Sequence, residues 1–181
     1  MQDFIKNILS DLRVDLTEEF DRNFERTAFF DKAWEDTKFT NRKGTLMMRS
    51  GKLRRSIKSI QSNNELTWSS SLPYASLQNE GGEIIVTEKM KRFFWAMYYK
   101  AVNAVRYDVK TKTAVLDKRG MRLSKEAGMW KSLALQKVGA KMKVKQRQFI
   151  GDHPEVRHRI EHVVDLNMKE IEKQIFNKLK R

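Results

Sequence analysis

The sequence predicts an α+β fold, with long N- and C-terminal helices packed on a small antiparallel β-sheet and a helical and extended insertion in the middle. Three observations carry this prediction. Apolar residues recur every three or four positions across residues 4–24 and again across 156–179, the period of a helix with one buried face. Short alternating runs at 66–70 and 142–144, and the apolar run at 83–87, read as strands. Finally, 181 residues, 40% hydrophobic and 33% charged with ten Phe and four Trp, are enough for one substantial core and too apolar for a disordered chain. A single domain over 1–181 is therefore expected, with 88–139 as an insertion within it.

Taken in order, Phe4, Ile5, Ile8, Leu9, Leu12, Leu16, Phe20 and Phe24 form one stripe on a helix of about six turns. Phe29, Phe30, Trp34 and Phe39 follow in a loop or short helix. Aromatics this close also suit base stacking, but packing against the core is the reading taken. After the turn-like TNRKG comes RSGKLRRSI at 49–57, four cations in nine positions. Ser50 and Gly51 suit a helix start, and Leu53, Ile57 and Ile60 recur at helical spacing, so a helix over 50–60 is expected. Arg54, Arg55 and Lys58 would then face solvent or a partner.

Asn63-Asn64 suits a turn, and Leu66, Trp68 and Ser70 alternate as a strand. In LPYASLQNEGG, Pro73 suits a first helical position and Gly81-Gly82 a stop, giving one or two helical turns. The strand at 83–87 resumes after it, and the two strands are expected to pair as a hairpin joined by that helical turn. The segment 87–105 is apolar nearly all round through Phe93, Phe94, Trp95, Met97, Tyr98, Tyr99 and Val102. Such a helix is buried on several sides or shared with a neighbouring subunit. At 106–115, Tyr107, Val109, Thr111, Thr113 and Val115 alternate with Asp108, Lys110 and Lys112, as in an extended arm or hairpin with one basic face. A helix over 125–138 returns the chain to the sheet and a final strand at 142–144. The last helix carries Val156, Ile160, Val163, Val164, Met168, Ile171, Ile175 and Leu179, with Asp152 and Pro154 at its start and basic residues in its last turn.

Charge is unevenly placed. Residues 1–40 hold six Lys/Arg against ten Asp/Glu, whereas the whole chain is at +14, so 41–181 carry +18. Such a surplus attracts phosphate or acidic protein surfaces. The absence of cysteine excludes disulfides, a thiol nucleophile and a Cys-ligated metal, and fits a reducing compartment. No stretch approaches the roughly 18 apolar residues of a membrane span, and the charged opening MQDFIKNILSDLRVDL lacks a signal-peptide core, so a soluble protein without a membrane partner is expected.

Catalytic chemistry leaves little trace. His158 and His162 are four apart, a metal-compatible spacing, but no HExxH pattern or third ligand accompanies them, and they read as a surface pair. The carboxylates fall on solvated helix faces without an acid/base couple, and Gly81-Gly82 lacks a phosphate-loop context. No catalytic residue, cofactor or metal site is expected, and the protein is not expected to be an enzyme.

Three ordered stretches, LMMRSGKLRRSI, LPYASLQNEGG and VKQRQFIG, resemble the signature of the phage virion morphogenesis proteins, which include the tail completion proteins of Mu-like and lambdoid tailed phages. The match rests on Ser50, Gly51, Leu53, Ser56 and Ile57, then on Tyr74, Ala75, Gly81 and Gly82, then on Arg147, Phe149, Ile150 and Gly151. It covers about 1–87 and 140–181. Gln146 stands near where the family often has Pro, and Gln78-Asn79-Glu80 replaces its usual segment. The resemblance implies an α+β fold and a ring, commonly of six copies, at the neck of the virion, put together in the host bacterial cytoplasm. There the ring joins the head-side connector, stopper or portal adaptor to the tail tube, and genomic DNA passes through it. The expected subunit and partner interface comprises Arg54, Arg55, Lys58, Phe93, Phe94, Trp95, Tyr98, Tyr99, Lys110 and Lys112. The alternative reading is a non-specific nucleic-acid-binding protein that uses the basic 41–181 segment.

Overall fold

The computed structural model describes residues 2–37, 44–62, 64–105, 110, 113–114 and 117–180. Its architecture is α+β, with six helices and three two-stranded antiparallel sheets among these residues. The expected alternation at 106–115 and Phe39 lie largely or wholly outside them. The chain divides into two compact units, the first formed by Met1–Gly81 with Lys145–Arg181 and the second by Gly82–Val144. The second contains all of the expected 88–139 insertion and adds a strand at each end.

In the first unit, α1 (Gln2–Arg26) buries Leu12, Leu16, Phe20 and Phe24, one side chain per turn as the stripe requires. The aromatic segment behind it is neither loop nor helix. It is a tight hairpin of β1 (Ala28–Phe29) and β2 (Lys32–Ala33), with Thr27 and Phe30 at positive φ flanking β1. Phe29 is buried, and the ring of Phe30 stacks on His153 at 4.7 Å.

The expected helix over 50–60 is cut in half. Helix α2 (Lys52–Ser56) stops where β3 (Ile57–Gln61) begins, and β3 pairs with β4 (Leu66–Ser70) from Ile57↔Ser70 to Gln61↔Leu66. Ser62 N–H donates to the Glu65 carbonyl at 2.9 Å to close this hairpin. Trp68 Nε1 donates to Thr17 Oγ1 at 2.9 Å, tying the hairpin to α1. Residues 57, 59 and 61 are half-buried and 58 and 60 exposed, a period of two that overrides the helical spacing of Leu53, Ile57 and Ile60.

Helix α3 (Ala75–Glu80) ends on Gly81 at φ 75, as the Gly-Gly stop predicts. Helix α6 (Pro154–Leu179) starts as expected at Pro154, but its N-cap is His153 rather than Asp152. His153 Nδ1 accepts from Glu155 N–H at 3.2 Å, which leaves its Nε2–H for Asp31 at 2.9 Å. Along α6 only Val156 and Val163 are buried, and Ile175, Phe176 and Leu179 stand exposed, so the apolar stripe outruns the core it meets.

In the second unit, β5 (Gly82–Ile85) pairs with β6 (Lys141–Val144), from Gly82↔Val144 to Ile85↔Lys141. This corrects the hairpin expected between 66–70 and 83–87. The hydrogen-bonding groups of β4 are met by β3 and those of β5 by β6, a choice of partner that local pattern does not encode. Helix α4 (Glu88–Asn103) is capped by Thr87 Oγ1, which accepts from Met90 N–H. Helix α5 (Lys118–Ala134) starts seven residues before the expected 125, because Asp117 Oδ1 caps it by accepting from Gly120 N–H at 2.6 Å. The two helices pack through Phe94 and Ala101 against the Leu123, Ala127 and Ala134 face, with the Trp130 ring 5.8 Å from Phe93 and 6.0 Å from Phe94.

Candidate functional site

The residues that carry the three motifs meet in space. Leu53 of α2, Ala75 of α3 and Phe149 share one buried cluster with Phe24 of α1 and Trp34, and Ile57 and Ile150 pack against it. Phe149 lies 5.1 Å from the Phe24 ring. The extended segment that brings it there is held by side chains along its length. Asn79 Oδ1 accepts from both Phe149 N–H (2.9 Å) and Ile150 N–H (3.1 Å), and Asn23 Nδ2 donates to the Phe149 carbonyl at 3.2 Å. Trp34 Nε1 donates to the Gln148 carbonyl at 2.7 Å, and Arg147 N–H donates to the Gln78 carbonyl at 2.8 Å.

Smaller motif residues do backbone work. Ser56 Oγ donates to the Leu53 carbonyl and lies 2.7 Å from Ser70 Oγ, fixing the helix-to-strand junction. Gly51 caps α2 at φ 66, left-handed backbone that a glycine adopts without strain. Ser50 Oγ accepts from Lys52 N–H at 3.5 Å at the start of α2, and its backbone carbonyl accepts from Arg55. Gly82 opens β5 and Gly151 lies at a bend before α6, both at positive φ, and Tyr74 precedes α3 on the exposed surface.

Arg54, expected to face solvent or a partner, is paired within its own unit. Its guanidinium grips Asp21 through both Nε and an NH2 group, and Glu25 accepts from it at 2.7 Å. Asp21, and with it Glu25 against the opposing effect of burial, pushes the Arg54 guanidinium above its ordinary pKa. The helix start packs Leu53 inward, which aims Arg54 at the acidic face of α1. Arg55 and Lys58 remain on the exposed surface.

A second network surrounds Glu19, which is 1% exposed. Arg22 (2.5 Å), Arg26 (3.1 Å) and Arg159 (2.8 Å) all reach its carboxylate. Burial pushes Glu19 up, but the three guanidiniums outweigh it and hold the carboxyl below its ordinary range. Arg159 also meets Asp15 at 2.8 Å, so this network fastens α6 to α1. Asn23, Asn79 and Glu19 were not singled out by sequence. Their one signal is a polar side chain on or beside a buried helical stripe.

The second unit presents the basic surface. Residues 82–144 hold fifteen Lys/Arg against five Asp/Glu, a net +10 of the chain's +14. On α4, Lys89, Arg92, Phe93, Ala96, Tyr99 and Lys100 form one exposed face, with Phe93 55% and Tyr99 57% exposed. The expected aromatic interface is thereby divided. Phe94 is core, because it packs against α5, and Trp95 and Tyr98 are half-buried. Lys110 is exposed, and Lys112 lies outside the described residues.

His158 and His162 are exposed on α6, and no group of three His, Cys, Asp or Glu among the described residues is placed to hold a metal ion. Among the same residues no helix is long and apolar enough to cross a membrane. No protein-family model, curated protein or solved structure matches the chain.

Proposed function

We propose that this chain is a structural protein of a tailed-phage virion, forming a homo-oligomeric ring at the head–tail neck that joins the head-side connector to the tail. The observation that carries the reading is the meeting of Leu53, Ala75 and Phe149 in one cluster. Three short motifs spread over about a hundred residues are what a shared core leaves in a sequence when surfaces diverge. The exposed apolar side chains Ile175, Phe176 and Leu179 at the end of α6 support an assembled rather than solitary chain. In this reading the catalytic work is none: the ring aligns two assemblies and lets the genome pass. Quantitative mass spectrometry of purified virions tests it, with a copy number near half that of the portal protein expected.

The basic second unit favours a second reading, a non-specific nucleic-acid-binding protein. Absence of the chain from particles, together with duplex DNA affinity that falls steeply with added salt, would replace the first reading with this one.

A further inference from the structure

A cleft of about 370 Å³ opens in the first unit, and all three motif segments wall it. Arg49, Lys52 and Arg147 line it beside Tyr74 and Gln78, over a floor of Leu46, Met47 and Leu53, and no carboxylate is among the lining residues. Two features mark these cations. Arg22, Arg26, Arg54 and Arg159 each meet a carboxylate, whereas Arg49, Lys52 and Arg147 meet none among the described residues. In addition, Arg147 donates through one NH2 group to the Glu35 carbonyl at 3.3 Å, while its Nε and Gln78 Oε1 are buried with no hydrogen-bond partner among the described residues. Cations gathered without a carboxylate leave a positive site that an anionic group completes.

We propose that this cleft binds an acidic peptide segment of a partner protein. A carboxylate of the segment sits among Arg49, Lys52 and Arg147, and an apolar side chain rests on Leu46 and Met47. The apolar floor beside the cations decides between peptide and nucleic acid. A phosphodiester backbone brings charge but nothing apolar for Leu46 and Met47, whereas an acidic peptide brings a carboxylate and an apolar side chain together. The cleft's chemistry stands whether or not the chain forms a neck ring.

The test uses the full chain and a fluorescein-labelled peptide, Glu-Leu-Asp-Leu-Glu-Glu, with Gln-Leu-Asn-Leu-Gln-Gln and a short DNA duplex as comparators, at physiological salt. The acidic peptide is expected to bind saturably, at least about tenfold tighter than its neutral counterpart. It is also expected to move the Arg147 Nε–H resonance in ¹⁵N NMR spectra. The double variant Arg49→Ala, Lys52→Ala changes two side chains that make no ion pair among the described residues, and circular dichroism checks its fold. It should lose at least about tenfold in peptide affinity. Unchanged affinity in that folded variant, no saturable peptide binding, or movement of the Arg147 resonance by the duplex and not by the peptide would each overturn the proposal.

Discussion

Arg54 and Asp21 are 33 residues apart in sequence and joined by two hydrogen bonds, with the Nε contact at 2.5 Å. Through them α2 is clamped to α1. Arg54 is one-quarter exposed and its neighbour Arg55 is on the open surface. Replacing Arg54 with Ala is therefore expected to lower stability by about 1–2 kcal/mol, between the ranges for surface and buried ion pairs. Arg55→Glu should stay within about 0.5 kcal/mol. Urea titrations of the two variants separate them, and equal midpoints would show that the clamp does not hold the fold. In an infection assay, a joining defect from the stable Arg55→Glu variant alone would mark a partner contact.

The Phe149 segment depends on one amide. Asn79→Ala leaves two part-buried N–H groups without their acceptor and should cost about 1–3 kcal/mol. Asn79→Asp keeps the acceptor and should cost clearly less. Phe149→Ala, at a side chain only 2% exposed, should cost about 3–5 kcal/mol by leaving a cavity against Phe24 and Trp34. Thermal unfolding followed by circular dichroism ranks the three, and an Asn79→Asp loss as large as that of Asn79→Ala would refute the acceptor role.

Stability should fall in acid through Glu19. Its carboxyl is held below the ordinary range in the folded chain, so as pH drops the unfolded chain takes up the proton first. The stabilisation is complete above the unfolded value of about 4.3 and is lost as pH falls through the lower folded value. Glu19→Gln should flatten this acid limb. At neutral pH it should cost about 2–4 kcal/mol, because Arg22, Arg26 and Arg159 keep their charges without their shared partner. Denaturation curves between about pH 2 and 7 give both readings, and parallel pH profiles for the two proteins would assign the acid sensitivity elsewhere.

The second unit leaves and rejoins the first at neighbouring points, since Gly82 and Val144 are paired partners in the β5–β6 ladder. Replacing residues 83–143 by an Asn-Gly turn spans the few ångströms between paired strands. The shortened chain is expected to unfold cooperatively and to retain the Trp34 and Trp68 fluorescence of the first unit, while losing most of the net charge. A non-cooperative transition would mean that the first unit does not stand without the second.

Much of the helical structure was legible because its cause lies within a few residues. The stripe from Leu12 to Phe24 and the Pro154 start required only neighbours three or four positions away, and Gly81 needed only its own backbone freedom. Where two periods competed, local reading failed. Leu53, Ile57 and Ile60 fit a helix by spacing, yet Ile57 and Ile60 are β-branched and became strand because Leu66–Ser70 lay ready to pair with them. The candidate site was legible in part: Leu53, Ala75 and Phe149 could be named, but not Asn23 and Asn79, whose amides matter only once the Phe149 backbone arrives beside them.

The sequence by itself determined the α+β class, the long terminal helices and the excess of positive charge, since periodicity and composition are properties of the chain alone. Tertiary structure decided which strands pair and which cations stay open. Strand ladders and ion pairs join groups far apart in sequence, so Arg54 is neutralised by Asp21 while Arg147 is left facing a cleft, although both are arginines in motifs of the same kind. Helical hydrogen bonds close within four residues and can be read locally, whereas a partner 33 or 126 positions away exists only after the chain has folded.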